Sequence, residues 1–89
     1  MPVEGMLEAA LLVLAAEGPR YGYEFWQELR TGELVAGRMH VGRVYETLAR
    51  LTAGGFMDTS SPEGPGDRRL YQLTPSGRGR LRRWLSALG

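Results

Sequence analysis

Arg43, Thr47 and Arg50 recur at i, i+4 and i+7, and further on six arginines crowd into the eighteen residues GDRRLYQLTPSGRGRLRR, 66–83. A guanidinium is a planar fork of five donors that stays charged at physiological pH, which suits phosphate oxygens and the guanine edge of the DNA major groove. This is chemistry for holding a polyanion rather than for making or breaking bonds. Catalysis has little to work with: there is no cysteine, and His40 is the one histidine. That excludes a Cys–His dyad and nearly every structural zinc pattern. No nucleophile–base–acid set and no phosphate-cradling loop is visible, and the glycines of GGF and GPG belong to turns. The chain is expected to be no enzyme and to take no metal or cofactor.

The charge is segregated along the chain. Residues 1–37 carry two arginines and six glutamates, and residues 38–89 carry nine arginines and four acids, giving −4 and +5 and the net +1. Such asymmetry suits one face meeting an anionic partner, although a solvated charged surface gives the same pattern. Eighty-nine residues make one small domain; a domain of this size buries only roughly 60–65% of its unfolded surface, so a partner subunit would help it. The apolar run Met6–Ala16 has no basic leader, and a helix of that length spans roughly 16 Å, too short for a bilayer. A cytoplasmic protein is expected.

The elements that must position the arginines follow from periodicity. Residues 6–16, MLEAALLVLAA, have strong helix formers up to Gly18-Pro19. At about 100° per residue Leu7, Leu11 and Leu14 fall on one side and Ala9, Leu12 and Ala16 on the other. A helix apolar all round must be covered all round, and one small domain covers one side of a terminal helix, so a dimer is expected. Residues 21–30 form a second helix on Tyr21, Phe25 and Leu29, with Trp26 beside them. Residues 41–53 form a third, with Val44, Leu48 and Leu51 inward, Tyr45 on the edge, and Arg43, Thr47 and Arg50 opposite. FMDTS and RRLYQL read as strands around the Pro/Gly-rich loop SPEGPGD, with Tyr71 and Leu73 inward. Thr74-Pro75 open a last helix as N-cap and first residue, on which Leu81, Trp84, Leu85 and Leu88 cluster.

The expected class is therefore mainly α with a β-hairpin: a winged helix-turn-helix over residues 1–74 and a C-terminal dimerisation helix over 75–89. The segments LLVLAAEGPRYGYEFWQELR, GRVYETLARLTAGGF and GDRRLYQLTPSGRGRL together resemble the phenolic-acid-repressor (PadR) family of bacterial transcription regulators. The resemblance rests on Gly18-Pro19, Gly22-Tyr23-Glu24, Gly42-x-x-Tyr45-x-x-Leu48-x-Arg50-Leu51, Gly55 and Leu73-Thr74-x-x-Gly77. It implies a DNA-binding repressor, homodimeric on an inverted repeat, with its first and last helices pairing subunits as in the short subfamily. Val41 and Arg43 stand where the family often has a proline and a small hydroxyl residue, so base preference does not transfer.

The DNA-binding candidates are Arg38, His40, Arg43, Tyr45, Thr47, Arg50, Arg68 and Arg69. Arg43 is near the N-terminal end of the recognition helix, where bases are met. Arg50 either touches phosphate or pairs with Glu46 at i, i+4. The Tyr45 hydroxyl is placed near DNA by the resemblance. His40 is a loop or capping residue, or a reader. Arg68 and Arg69 are adjacent in a strand and point to opposite faces unless the wing twists. The dimer candidates are Leu7, Leu11, Leu14, Leu81, Trp84, Leu85 and Leu88. The remaining arginines, Arg78, Arg80, Arg82 and Arg83, are expected to be solvated or paired with the acidic N-terminal part across the dimer. Trp26 and Trp84 are candidates for sandwiching a small aromatic effector, as some family members do, or are simply packed. The rival reading is a winged-helix protein-interaction module that does not bind DNA.

Overall fold

The computed structural model describes residues 3–32, 40–60 and 68–88. The elements are α1 (Val3–Glu17), β1 (Arg20–Tyr21), α2 (Gly22–Gly32), α3 (Val41–Ala53), β2 (Met57–Thr59), β3 (Leu70–Leu73) and α4 (Pro75–Leu88). Three helices and a strand pair followed by a helix is the expected winged helix-turn-helix order. The two-residue strand β1 is an addition. It pairs with β3, making an antiparallel sheet of order β1-β3-β2 with Arg20 opposite Tyr71 and Met57 opposite Leu73. Two residues carry no alternation, so periodicity could not announce β1.

The core is formed by Leu7, Leu11 and Leu12 of α1, Phe25 of α2, Val44 and Leu48 of α3, and Met57 of β2. Phe25 meets the inward Tyr71 edge-on at 6.3 Å between ring centroids, the arrangement favoured by the ring quadrupoles. Leu73 is partly buried against the same core.

The structure revises the reading of α1. Leu7 and Leu11 are 0% and Leu14 is 4% exposed within a single subunit, so these three leucines are not available to a partner. Of the other side, Leu12 is buried too, while Ala9 is half-buried and Ala16 exposed. The physical reason is placement: α1 packs against α2, α3, α4 and β3. The first helix in the chain is thus central in space, and one chain covers most of its circumference. What remains outside is a narrower apolar strip including Met6 and Val13.

The turn after α3 is joined to the start of α4. Gly54 and Gly55 donate N–H bonds to Arg50 and Thr52 carbonyls, closing α3, with Gly55 at φ 82°. The Thr74 hydroxyl donates to the Gly55 carbonyl at 2.7 Å and accepts the Gly77 N–H at 3.0 Å. It is thus both the expected N-cap and a clasp on the turn that closes α3. Arg80 lies one turn on, its guanidinium 4.7 Å from the centre of the Phe56 ring and 3.2 Å from Glu8 of α1. Its acidic partner is therefore in its own chain rather than across a dimer.

A Cβ at Gly77 would stand 2.1 Å from the Phe56 carbonyl oxygen and 2.6 Å from Leu73 Cδ1. Gly77→Ala should lower the free energy of unfolding by about 1–3 kcal/mol, the usual effect of overpacking. Urea denaturation reads this directly; an unchanged midpoint would show that α4 does not seat against the Phe56 turn.

Candidate nucleic-acid interface

Helix α3 buries Val44, Thr47, Leu48 and Leu51 and exposes Val41, Gly42, Arg43, Tyr45, Glu46, Ala49 and Arg50. Thr47 is the misplaced candidate: it is 2% exposed. Its hydroxyl donates to the Arg43 carbonyl at 2.9 Å and accepts from Arg50 Nη2 at 3.3 Å. Threonine satisfies its polar group by back-bonding to the helix, so it fits the apolar side at the cost of no unpaired hydroxyl. The Arg50 side chain thus turns to Thr47 and not to Glu46. His40 occupies the N-cap position in extended backbone, exposed and making no side-chain cap bond. Arg38 lies outside the described residues.

Beside α3 runs an open groove of about 740 Å³. Its walls are the start of α2 (Tyr21, Gly22, Tyr23, Glu24 and Gln27), Tyr45 of α3, and Arg68, Arg69 and Tyr71 at the wing. Both wing arginines reach it, although neighbours in a flat strand would diverge. Arg68 lies 5.6 Å over the Tyr21 ring. Glu24 accepts the Tyr21 N–H at 2.8 Å, half of a capping box that places an acid at the positive end of the α2 dipole.

Tyr45 fits this corner because residue 22 is glycine. A Cβ at Gly22 would stand 2.5 Å from Tyr45 Cε1, so the bare backbone lets the ring lie across the start of α2. Partial burial raises the Tyr45 phenol above its ordinary value, and Tyr71 and Tyr23 add to this. The group is a neutral hydroxyl at physiological pH, able to donate to an anionic oxygen. Among the described residues no carboxylate pairs with Arg68 or Arg69, whereas Arg20 is held by Glu17 and Glu28, and Arg80 by Glu8. The two wing cations facing the groove thus have no acid among the described residues.

The tryptophans lie elsewhere. Trp26 stacks with Tyr23 at 5.4 Å and under Arg30 at 4.8 Å. Trp84 is half-buried, facing Gly5 of α1. Neither lines the groove, whose aromatic walls are tyrosines. Of the expected dimer residues, Leu81 is packed on the core and Leu85 is 52% exposed. The side chain of Leu88 lies outside the described residues.

Residues 11–83 match the family model described as the transcriptional regulator PadR-like family. The chain belongs to the PadR-like family of transcriptional regulators. No curated protein matches it. Among solved structures, a transcriptional regulator from Clostridium thermocellum is 24% identical with a TM-score of 0.82, over 94% of this chain and 81% of that one. A PadR family regulator from Eggerthella lenta is 23% identical with a TM-score of 0.82, over 97% of this chain and 74% of that one. PadR of Bacillus subtilis, solved in complex with operator DNA, is 26% identical with a TM-score of 0.76. The match takes in 89% of this chain but 46% of the Bacillus protein. The PadR-like fold is thus shared along nearly all of the present chain.

Tyr21, Gly22, Tyr23 and Gln27 line the groove without having been singled out for it. The signal was the dense YGY at the helix start, which reads as core aromatics when α2 is taken alone. Gly22→Ala should displace the Tyr45 ring, which is 41% exposed and free to swing outward, rather than unfold the domain. The measurement is tyrosine absorbance against pH. Tyr45 of the parent should ionise late, above about pH 10, and Gly22→Ala should lower its midpoint. Because that pKa is raised in the folded state, its contribution to stability is complete below about pH 10 and is lost as pH climbs through the folded value.

Proposed function

We propose that the chain is a homodimeric transcription regulator that acts in the cytoplasm as a repressor, binding an inverted-repeat operator through α3 and the wing. The observation that carries the reading is the groove holding Tyr45, Arg68 and Arg69 beside α3, whose exposed side also bears Arg43 and Arg50. Phosphate contacts from the groove would fix register, and side chains of α3 would meet base edges. The similarity to a Bacillus regulator solved with operator DNA supports it. In this reading residues 1–74 are the DNA-binding part and residues 75–89, which include α4, are the pairing part.

The large apolar side chains left exposed support two contact surfaces. Tyr23, Val41 and Tyr45 lie on α2 and α3, while Met6, Val13 and Leu85 lie on α1 and α4. The first group borders the DNA side. The second suits a second copy of the chain, with Trp84 and Leu81 beside Leu85. Relief by a small aromatic effector rests on Trp84 alone, half-buried next to that surface. Titration of planar aromatics followed by tryptophan fluorescence tests it, and the absence of saturable quenching removes it.

Binding to DNA upstream of the protein's own gene, by anisotropy at several salt concentrations, tests the main reading. Six phosphate contacts per dimer should give a log–log salt slope of about −5. Arg43→Ala and the pair Arg68→Ala with Arg69→Ala should each weaken binding; the wing pair should also flatten the slope. Salt-independent or absent binding would favour the protein-interaction module. Leu85→Asp should convert a sedimenting dimer to a monomer without unfolding it.

A further inference from the structure

At about 100° per residue, the buried side of α3, with Val44, Thr47, Leu48 and Leu51, lies opposite a line of Gly42, Glu46, Ala49 and Ala53. All four of these are exposed. Arg43 and Arg50 flank the line on one edge, Tyr45 and Val41 on the other. The outermost ridge of the helix therefore bears one side chain longer than a methyl group, and that side chain is a carboxylate.

The glycine is not explained by the subunit. A Cβ at Gly42 would meet no atom within 4 Å, and its backbone is not among the positive-φ glycines. Glycine is a poorer helix former than alanine, so the fold on its own favours alanine there. A bare first turn matters to something that approaches from outside. Ala49 and Ala53 continue the smooth ridge. An α-helix with side chains is about 10–12 Å across and the major groove about 12 Å wide, so trimming this ridge lets the axis sit deeper.

Glu46 is equally unexplained inside the chain. Among the described residues it has no ion-pair partner, since Arg50 donates to Thr47 instead. A carboxylate pressed toward a duplex carrying a charge about every 1.7 Å raises the energy of the complex unless a donor meets it. The donors of the major groove are base amino groups, and a carboxylate accepts from the cytosine N4 amino group. We propose that α3 seats with its Gly42–Ala49 ridge toward the floor of the major groove and that Glu46 takes a cytosine amino group, setting base choice at one position of each half-site. The assignment rests on the DNA-binding reading above.

The test is selection from a random duplex library by the parent, Glu46→Gln, Glu46→Ala and Gly42→Ala, with urea denaturation of each. The parent should enrich half-sites with one fixed cytosine, and changing it to thymine, which offers O4 as an acceptor in place of the amino group, should weaken binding about tenfold. Glu46→Gln should move the preference at that position to adenine, and Glu46→Ala should abolish it. Gly42→Ala should unfold no more easily than the parent yet bind about tenfold more weakly. If the parent enriches a motif and both Glu46 variants select the same one, or Gly42→Ala binds as tightly as the parent, the assignment is wrong while DNA binding stands. If the parent retains no duplex, the DNA-binding reading falls and takes this one with it.

Discussion

One hydroxyl ties α3 to the rest of the molecule. Thr74 Oγ1 accepts the Gly77 N–H, beginning α4, and donates to the Gly55 carbonyl, which ends α3. The Thr74 N–H adds a bond to the Phe56 carbonyl at 3.2 Å. The end of one helix and the start of another are thereby one hydrogen-bonded unit, 9% exposed at Thr74. Buried polar groups that are fully paired specify a single arrangement. The tilt of α4 and the tilt of α3 are therefore not independent quantities.

This matters because the two helices face different partners in the proposed assembly. Exposed apolar groups divide between α2 and α3 on one side and α1 and α4 on the other. The carboxylates divide similarly: Glu8 holds Arg80 near α4 and Glu17 and Glu28 hold Arg20, while the wing pair is left facing the groove. Among the described residues Arg20 and Arg80 are thus held by carboxylates within the subunit, and the wing pair is not.

Much of this was legible in the residues. Val44, Leu48 and Leu51 at helical spacing gave α3 and its inward side, and Thr74-Pro75 gave the start of α4. The repeated glycines and the LTPSG segment carried the family. Thr47 was misread because a wheel sorts residues by polarity, and threonine hides its hydroxyl by bonding back to the helix. Leu7, Leu11 and Leu14 were assigned to a partner because a helix at the end of a chain was taken to lie at the edge of the fold. Position in sequence does not fix position in space. The groove was read only in part: Tyr45, Arg68 and Arg69 were candidates, but Tyr21 and Gly22 come from a separate stretch, and only the β1–β3 pairing and the bare Gly22 bring them together.

The central place of α1 has a consequence for how the molecule comes into being. Its leucines are covered by α3, β3 and α4, which are made after it, the last of them at the far end of the sequence. During synthesis the first helix leaves the ribosome with most of its apolar surface bare. No set of neighbours that could bury it fully exists until α4 has followed. Contacts of such long sequence separation are slow to form, because loop closure comes before their reward. The domain is thus committed to folding only once α4 has been made, and α1 is the segment most in need of shelter until then.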